Sequence, residues 1–143
     1  MQVQALGHVV LKVRDLDRSE GFYSDVLGMR IIARIPDPRM TFFRLATSKS
    51  HHDFALMELG PHAASLDQDA IGLAHLAFRI GASGEDLHLV RDVLQASETT
   101  VLYEAERAFT KSVHVLDPDG NEIELYIDTS DAWRTDREME GSP

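Results

Sequence analysis

Two stretches of this chain match one another at a constant spacing. "ALGHVVLKV" (5–13) lies over "GLAHLAFRI" (72–80), which puts His8 over His75, and "SDVLG" (24–28) lies over "RDVLQ" (91–95) at the same offset of 67 residues. One preserved offset across two separated landmarks points to a duplicated unit. Whatever one copy folds into, the other has to repeat.

In the first copy, strand 5–13 alternates Val9, Leu11 and Val13 on one face with His8, Val10 and Lys12 on the other. Leu16, Phe22, Tyr23, Val26 and Leu27 then form a helical stripe, with Asp17 predicted as N-cap, Glu20 three residues on, and Gly28 as the stop. Strands are expected at 30–35, 40–47 and 52–59, with "PDPR" supplying turn chemistry between the first two. The second copy reads as strand 72–80 and a helix over 84–96 with Leu87, Val90, Val93 and Leu94 on one side. Strands at 100–105, 111–116 and 121–127 follow, the last two joined by "DPDGN", where Gly120 is free to take positive φ. The expected architecture is therefore α+β: two βαβββ modules, at 3–60 and 71–128, within a single domain over 1–143. A linker (61–70) has no apolar periodicity, and a charged tail (129–143) holds the only Trp and is expected to fray. The two small sheets are expected to form one curved mixed surface around a cup.

The polar residues of the strands fall into a pattern. In the second copy Leu76, Phe78 and Ile80 face the helix, while His75, Ala77 and Arg79 point away. In the last strand Ile123, Leu125 and Ile127 face the helix, while Glu122, Glu124 and Tyr126 point away. His8, His75 and Glu124 thus all leave the helix-covered face. Strands covered on one side carry polar residues on the other as a matter of course. The equivalence of the two histidines in the repeat sets this trio apart. Two imidazoles and one carboxylate form the facial ligand set of a divalent ion that keeps positions open for substrate and oxygen.

With "GHVVLKVRDLDRSEGFYSDVLGM", "LAHLAFRI" and "LDPDGNEIELYID" in its two βαβββ copies, the chain resembles the vicinal oxygen chelate superfamily. That group includes glyoxalase I, extradiol dioxygenases, fosfomycin-modifying enzymes and bleomycin-binding proteins. The resemblance covers nearly the whole chain apart from linker and tail. Laying "FAL" (54–56) on "IEL" (123–125) puts Ala55 where the second copy has Glu124. Glyoxalase I carries a fourth protein ligand at that place, and alanine cannot coordinate. Glu58 could replace it only through a register shift, which the alternation disfavours. Three ligands match the extradiol arrangement instead. The resemblance also implies that His52, in "HHDFAL", is the acid–base group, although strict alternation would put His51 rather than His52 on the face of Ala55 unless a bulge intervenes. His114, ten residues before Glu124, stands where extradiol enzymes have a tyrosine and is expected to orient the substrate. His62 and His88 read as surface residues.

The remaining function classes follow from composition. The formal net charge of −10, without a basic stripe, argues against nucleic acid. No run of eighteen apolar residues is present, so no membrane span is expected. Absence of cysteine excludes disulfides and thiolate metal sites, and no secretory signal is recognisable, which fits a cytoplasmic protein. The resulting expectation is a dioxygenase of extradiol type acting on a small aromatic vicinal diol. His8, His75 and Glu124 would hold Fe(II), with Mn(II), Ni(II), Co(II) or Zn(II) as alternatives, and His52 and His114 would be catalytic. A homodimer is expected, because two-unit chains of this family pair their units. The alternatives are a glyoxalase I-like lyase or isomerase and a drug-binding protein without catalysis.

Overall fold

The computed structural model describes residues 1–65 and 70–131. Backbone contacts divide the chain into two compact units, Met1–Gln68 and Asp69–Pro143. The linker residues 66–69 and the tail residues 132–143, including Trp133, lie outside the described residues.

The first unit runs β1 (Val9–Val13), α1 (Leu16–Gly21) with a π-helical turn over Phe22–Val26, β2 (Arg30–Pro36), β3 (Arg39–Arg44) and β4 (Phe54–Glu58). Its sheet has the order β1-β4-β3-β2, with β1 parallel to β4 and the other pairs antiparallel. The N-cap of α1 is Asp15, not Asp17: its carboxylate accepts the Arg18 N–H at 3.0 Å. A residue with extended backbone is needed at that position, and Asp15 (φ −127°, ψ 110°) supplies it. Asp17 sits in the first helical turn and pairs with Arg39 instead. Glu20 closes no capping box; it accepts from Arg34 and from Thr41 Oγ1 on the neighbouring strands. Gly28 takes φ +69°, which lets the chain leave the helix and enter β2. Against the helix lies a cluster of Tyr23, Phe43 and Phe54, with ring centroids 4.8 Å (Tyr23–Phe54) and 5.9 Å (Phe43–Phe54) apart. Each of these fully buried rings contributes on the order of 2–3 kcal/mol through removal from water.

The second unit repeats the plan: β5 (Leu76–Gly81), α2 (Gly84–Ala96), β6 (Val101–Glu106), β7 (Thr110–Leu116) and β8 (Glu122–Asp128), in the sheet order β5-β8-β7-β6. Here a full capping box starts the helix, Ser83 and Asp86 each bonding the other's backbone N–H. Gly81 is required because a Cβ would run into the Asp86 carboxyl group. The helix buries Leu87 and Leu94, but Val93 is 43% exposed, so the predicted apolar stripe is narrower than its spacing suggests. Asp117 organises the "DPDGN" turn by accepting from the N–H groups of Asp119 and Asn121, and Gly120 takes φ +87°.

Three strands, β1, β4 and β5, start later than their sequence pattern implies. His8 and His75 each stand one residue before a strand, β1 and β5 respectively, so they remain equivalent but precede the ladders. His51 and His52 likewise precede β4 instead of opening it. A register irregularity falls at equivalent places in the two sheets, between Ile31 and Ala33 in β2 and between Val101 and Tyr103 in β6. Both bulges reverse the alternation of an edge strand.

Candidate metal centre and active site

Cross-strand partners share a face, so register alone places one row of side chains on the side of each sheet away from its helix. In unit two that row is Ala77, Glu124, His114 and Tyr103, reading across β5, β8, β7 and β6. In unit one the corresponding row is Val10, Ala55, Phe42 and Ala33. The carboxylate position of one unit is thus a buried alanine in the other. Glu58 is on the opposite face, where it accepts the Leu16 N–H at 2.8 Å and pairs with Arg39.

The polar row of unit two is densely connected. His75 Nε2 lies 3.3 Å from Glu124 Oε2, and His114 Nε2 lies 3.6 Å from Glu124 Oε1. His114 is only 3% exposed. Its Nδ1 is 2.7 Å from Glu122 Oε1, which also accepts the Tyr103 hydroxyl at 2.8 Å, and the Tyr103 ring stacks on the imidazole at 4.3 Å. A carboxylate only accepts, so Nδ1 carries the proton, and a neutral ring then presents the Nε2 lone pair to Ser112 Oγ at 3.3 Å. Burial pushes the Glu122 carboxyl group up, but the hydrogen bonds from Tyr103 and His114 outweigh it and hold the group below the usual carboxylate range. Tyr103 is in turn raised, chiefly by its bond to that carboxylate.

Unit one gathers imidazoles. The His52 ring lies 4.3 Å from that of His8 and 4.4 Å from that of His51, with His51 Nδ1 and His52 Nδ1 2.5 Å apart. His52 also meets the edge of Phe42 at 5.1 Å. Because Phe42 is the register partner of Ala55, His52 reaches the Ala55 face without belonging to the ladder. Strict alternation does not apply to it. Desolvation, aided by the nearby His51 and His8 rings, holds His52 below the ordinary imidazole range. His62 and His88 are exposed.

Each unit therefore brings together part of the predicted set: His75, Glu124 and His114 in unit two, and His8, His51 and His52 in unit one. Among the described residues, no three or more His, Asp or Glu side chains are gathered closely enough to hold a metal ion. The chemistry of the donor pair in unit two nevertheless suits one. A neutral imidazole nitrogen and a carboxylate oxygen about 3 Å apart have the separation of adjacent ligands bonded at about 2.1 Å to one first-row ion.

Residues 5–125 match the family model of the glyoxalase/bleomycin resistance protein/dioxygenase superfamily. The chain belongs to that superfamily. Among its relatives, biphenyl-2,3-diol 1,2-dioxygenase 3 of Rhodococcus globerulus is 34% identical over 128 residues, covering 86% of this chain and 63% of that protein. The chain thus spans less than two thirds of the dioxygenase's length. Lactoylglutathione lyase of Haemophilus influenzae is 32% identical over 130 residues, covering 86% of this chain and 92% of that enzyme. A glyoxylase/bleomycin resistance protein/dioxygenase domain from Frankia sp. EAN1pec superposes with a TM-score of 0.74 at 24% identity, covering 89% of this chain and 99% of that domain, a likeness of fold. The superfamily thus includes enzymes of more than one reaction class. Among the described residues, no helix is long and apolar enough to cross a membrane.

Three residues of the site escaped the sequence. Glu122 was legible as a side chain on the Glu124 face, but its partner was not, because cross-strand register is unknown before folding. Tyr103 was hidden by the β6 bulge, which alone makes it the partner of His114. Ser112 shares the face of His114 by simple alternation and carried no other signal.

Proposed function

We propose that this superfamily member is a metal-dependent dioxygenase of extradiol type acting on a small aromatic vicinal diol. His8, His75 and Glu124 hold one divalent ion, Fe(II) in the first instance, and no fourth protein ligand is provided. The observation that carries the reading is Ala55: its register in β4 matches that of Glu124 in β8, and it offers no donor atom. A bound ion of this kind supplies Lewis acidity toward the diol oxygens and, as iron, one-electron chemistry toward dioxygen.

The chain's own residues handle orientation and protons. His52 is held neutral near pH 7 by its burial and its imidazole neighbours, so it acts as a proton acceptor when substrate arrives. Its Nδ1 is engaged by His51, which leaves Nε2 to take a hydroxyl proton and later return it. The edge of Phe42 fixes the His52 ring against the sheet. In unit two, Glu122 and Tyr103 hold His114 in a single orientation, with Nε2 turned toward the Glu124 side. There His114 orients the diol through its oxygen atoms.

The test is oxygen consumption by iron-loaded protein on a panel of catechols, run beside isomerisation of methylglyoxal–glutathione adducts. Uptake of dioxygen with ring cleavage supports the reading. Isomerisation without oxygen uptake replaces it with the lyase chemistry of the Haemophilus relative.

A further inference from the structure

The charge of this chain is unevenly distributed. Residues 1–68 carry eight basic and eight acidic side chains, whereas residues 69–143 carry six basic and sixteen acidic ones, so the whole net charge of −10 belongs to the second unit. Within unit one, Arg34 and Arg39 are neutralised by Glu20, Asp17 and Glu58. Among the described residues, Arg30 and Arg44 have no carboxylate in direct contact, although Arg44 lies close enough to Asp53 for its charge to help hold that carboxyl group below the usual range. They are direct cross-strand partners on β2 and β3, and neither forms an ion pair among the described residues.

Like charges directly opposite one another destabilise a sheet, so this pair costs the fold something. The register places it on the face of Phe42 and Ala55, away from the helix, because Arg44 lies two residues beyond Phe42 on β3. Arg44 Nη2 donates to the His51 carbonyl at 2.9 Å, which fixes the guanidinium beside the His51–His52 pair. Its Nε is buried and, among the described residues, has no hydrogen-bond partner. Asp53, the residue before β4, forms no hydrogen bond to Arg44; its oxygens accept the Leu45 N–H (2.9 Å) and the Ser48 hydroxyl (2.6 Å). Arg44 Nε is closed to a ligand, but the terminal guanidinium nitrogens of this partly exposed residue, held beside His51 and opposite Arg30 in the ladder, offer donors to a planar anion.

We infer that Arg44, assisted by Arg30, binds an anionic substituent of the substrate, a carboxylate, beside the His52 end of the site. The preferred substrate is then a vicinal diol whose ring or side chain carries a carboxylate. The diol half of this statement rests on the dioxygenase reading; the anion half does not.

The experiment is an anaerobic titration of the purified protein with catechol and with 3,4-dihydroxyphenylacetate, for wild type, Arg44→Gln, Arg44→Lys and Arg30→Gln. Wild type should bind the carboxylate-bearing diol more tightly, and Arg44→Gln should reduce that preference about tenfold, the scale of one charge-assisted hydrogen bond. Arg44→Lys should restore part of it, and Arg30→Gln, which breaks no hydrogen bond of the fold, should weaken it less. Equal preference in wild type and all variants overturns the inference. If neither diol binds, the dioxygenase reading has failed, and benzoate alone is titrated by NMR. Shifts around Arg44 and His51 that vanish in Arg44→Gln then support the anion site, and their absence removes it.

Discussion

Replacing Glu122 by alanine should destabilise the metal-free protein by about 1–3 kcal/mol, the cost of leaving a buried donor unsatisfied. The His114 side chain is 4% exposed, and its Nδ1–H is satisfied within the protein by the 2.7 Å bond to Glu122. Ser112 and Glu124 both lie at Nε2, on the other side of the ring, and offer no substitute. Glu122→Gln keeps an acceptor oxygen and should recover most of the loss. Tyr103→Phe removes the second bond to the same carboxylate, but Tyr103 is 49% exposed and its hydroxyl partner can be replaced by water, so its cost should stay near 0.5 kcal/mol. Urea unfolding of the metal-free proteins gives these numbers. Nitrogen-15 NMR of His114 adds the tautomer: protonated at Nδ1 in wild type, with that preference lost in Glu122→Ala. A Glu122→Ala protein as stable as wild type, with an unaltered His114 spectrum, would show that the carboxylate does not hold the ring.

Three further outcomes follow from the same geometry. Arg34 above all, opposed by burial and joined by Thr41, holds Glu20 below the usual carboxylate range, so its contribution is complete above the unfolded value near 4.5 and is lost as pH falls through the lower folded value. Glu20→Gln should therefore flatten the acid limb of a stability–pH curve while leaving its slope above pH 6 alone, and an unchanged acid limb would count against the pair. His52→Ala should retain bound metal but slow turnover about a hundredfold or more, with His51→Ala doing less; the reverse order would make His51 the acid–base group. The protein should sediment as a homodimer at micromolar concentration, since each four-stranded sheet has two edge strands, β1 and β2 in one and β5 and β6 in the other. A species of 16.0 kDa alone would contradict that.

What could be read before folding was whatever depends on local period. The constant offset of 67 residues between His8 and His75 revealed the duplication, and alternation put Glu124 opposite the buried Ile123 and Leu125, because each rests on a pattern that is short within its own stretch of chain. The equivalence of Ala55 and Glu124 was also legible, through the apolar pattern "FAL" and "IEL", and the strand registers agree with it. Signals failed where a backbone irregularity or a distant partner decided the outcome. The N-cap is Asp15 and not Asp17 because the backbone is still extended at Asp15 and already helical at Asp17, a boundary that side-chain type alone does not mark. Parity does not apply to His51 and His52, since β4 begins only at Phe54, and the His52 ring is placed by contacts with His8 and Phe42. Tyr103 joined His114 through a bulge that nothing in "VLYEAE" announces.

The proposed ligand set is tested most directly by metal analysis of protein purified without chelator, wild type beside His8→Ala, His75→Ala and Glu124→Ala. Wild type should carry about one divalent ion per chain, and each variant should lose it, because two protein ligands rarely hold such an ion against water. Undiminished metal in the His8 and His75 variants, or none in a wild type supplied with iron, would contradict the assignment of His8, His75 and Glu124.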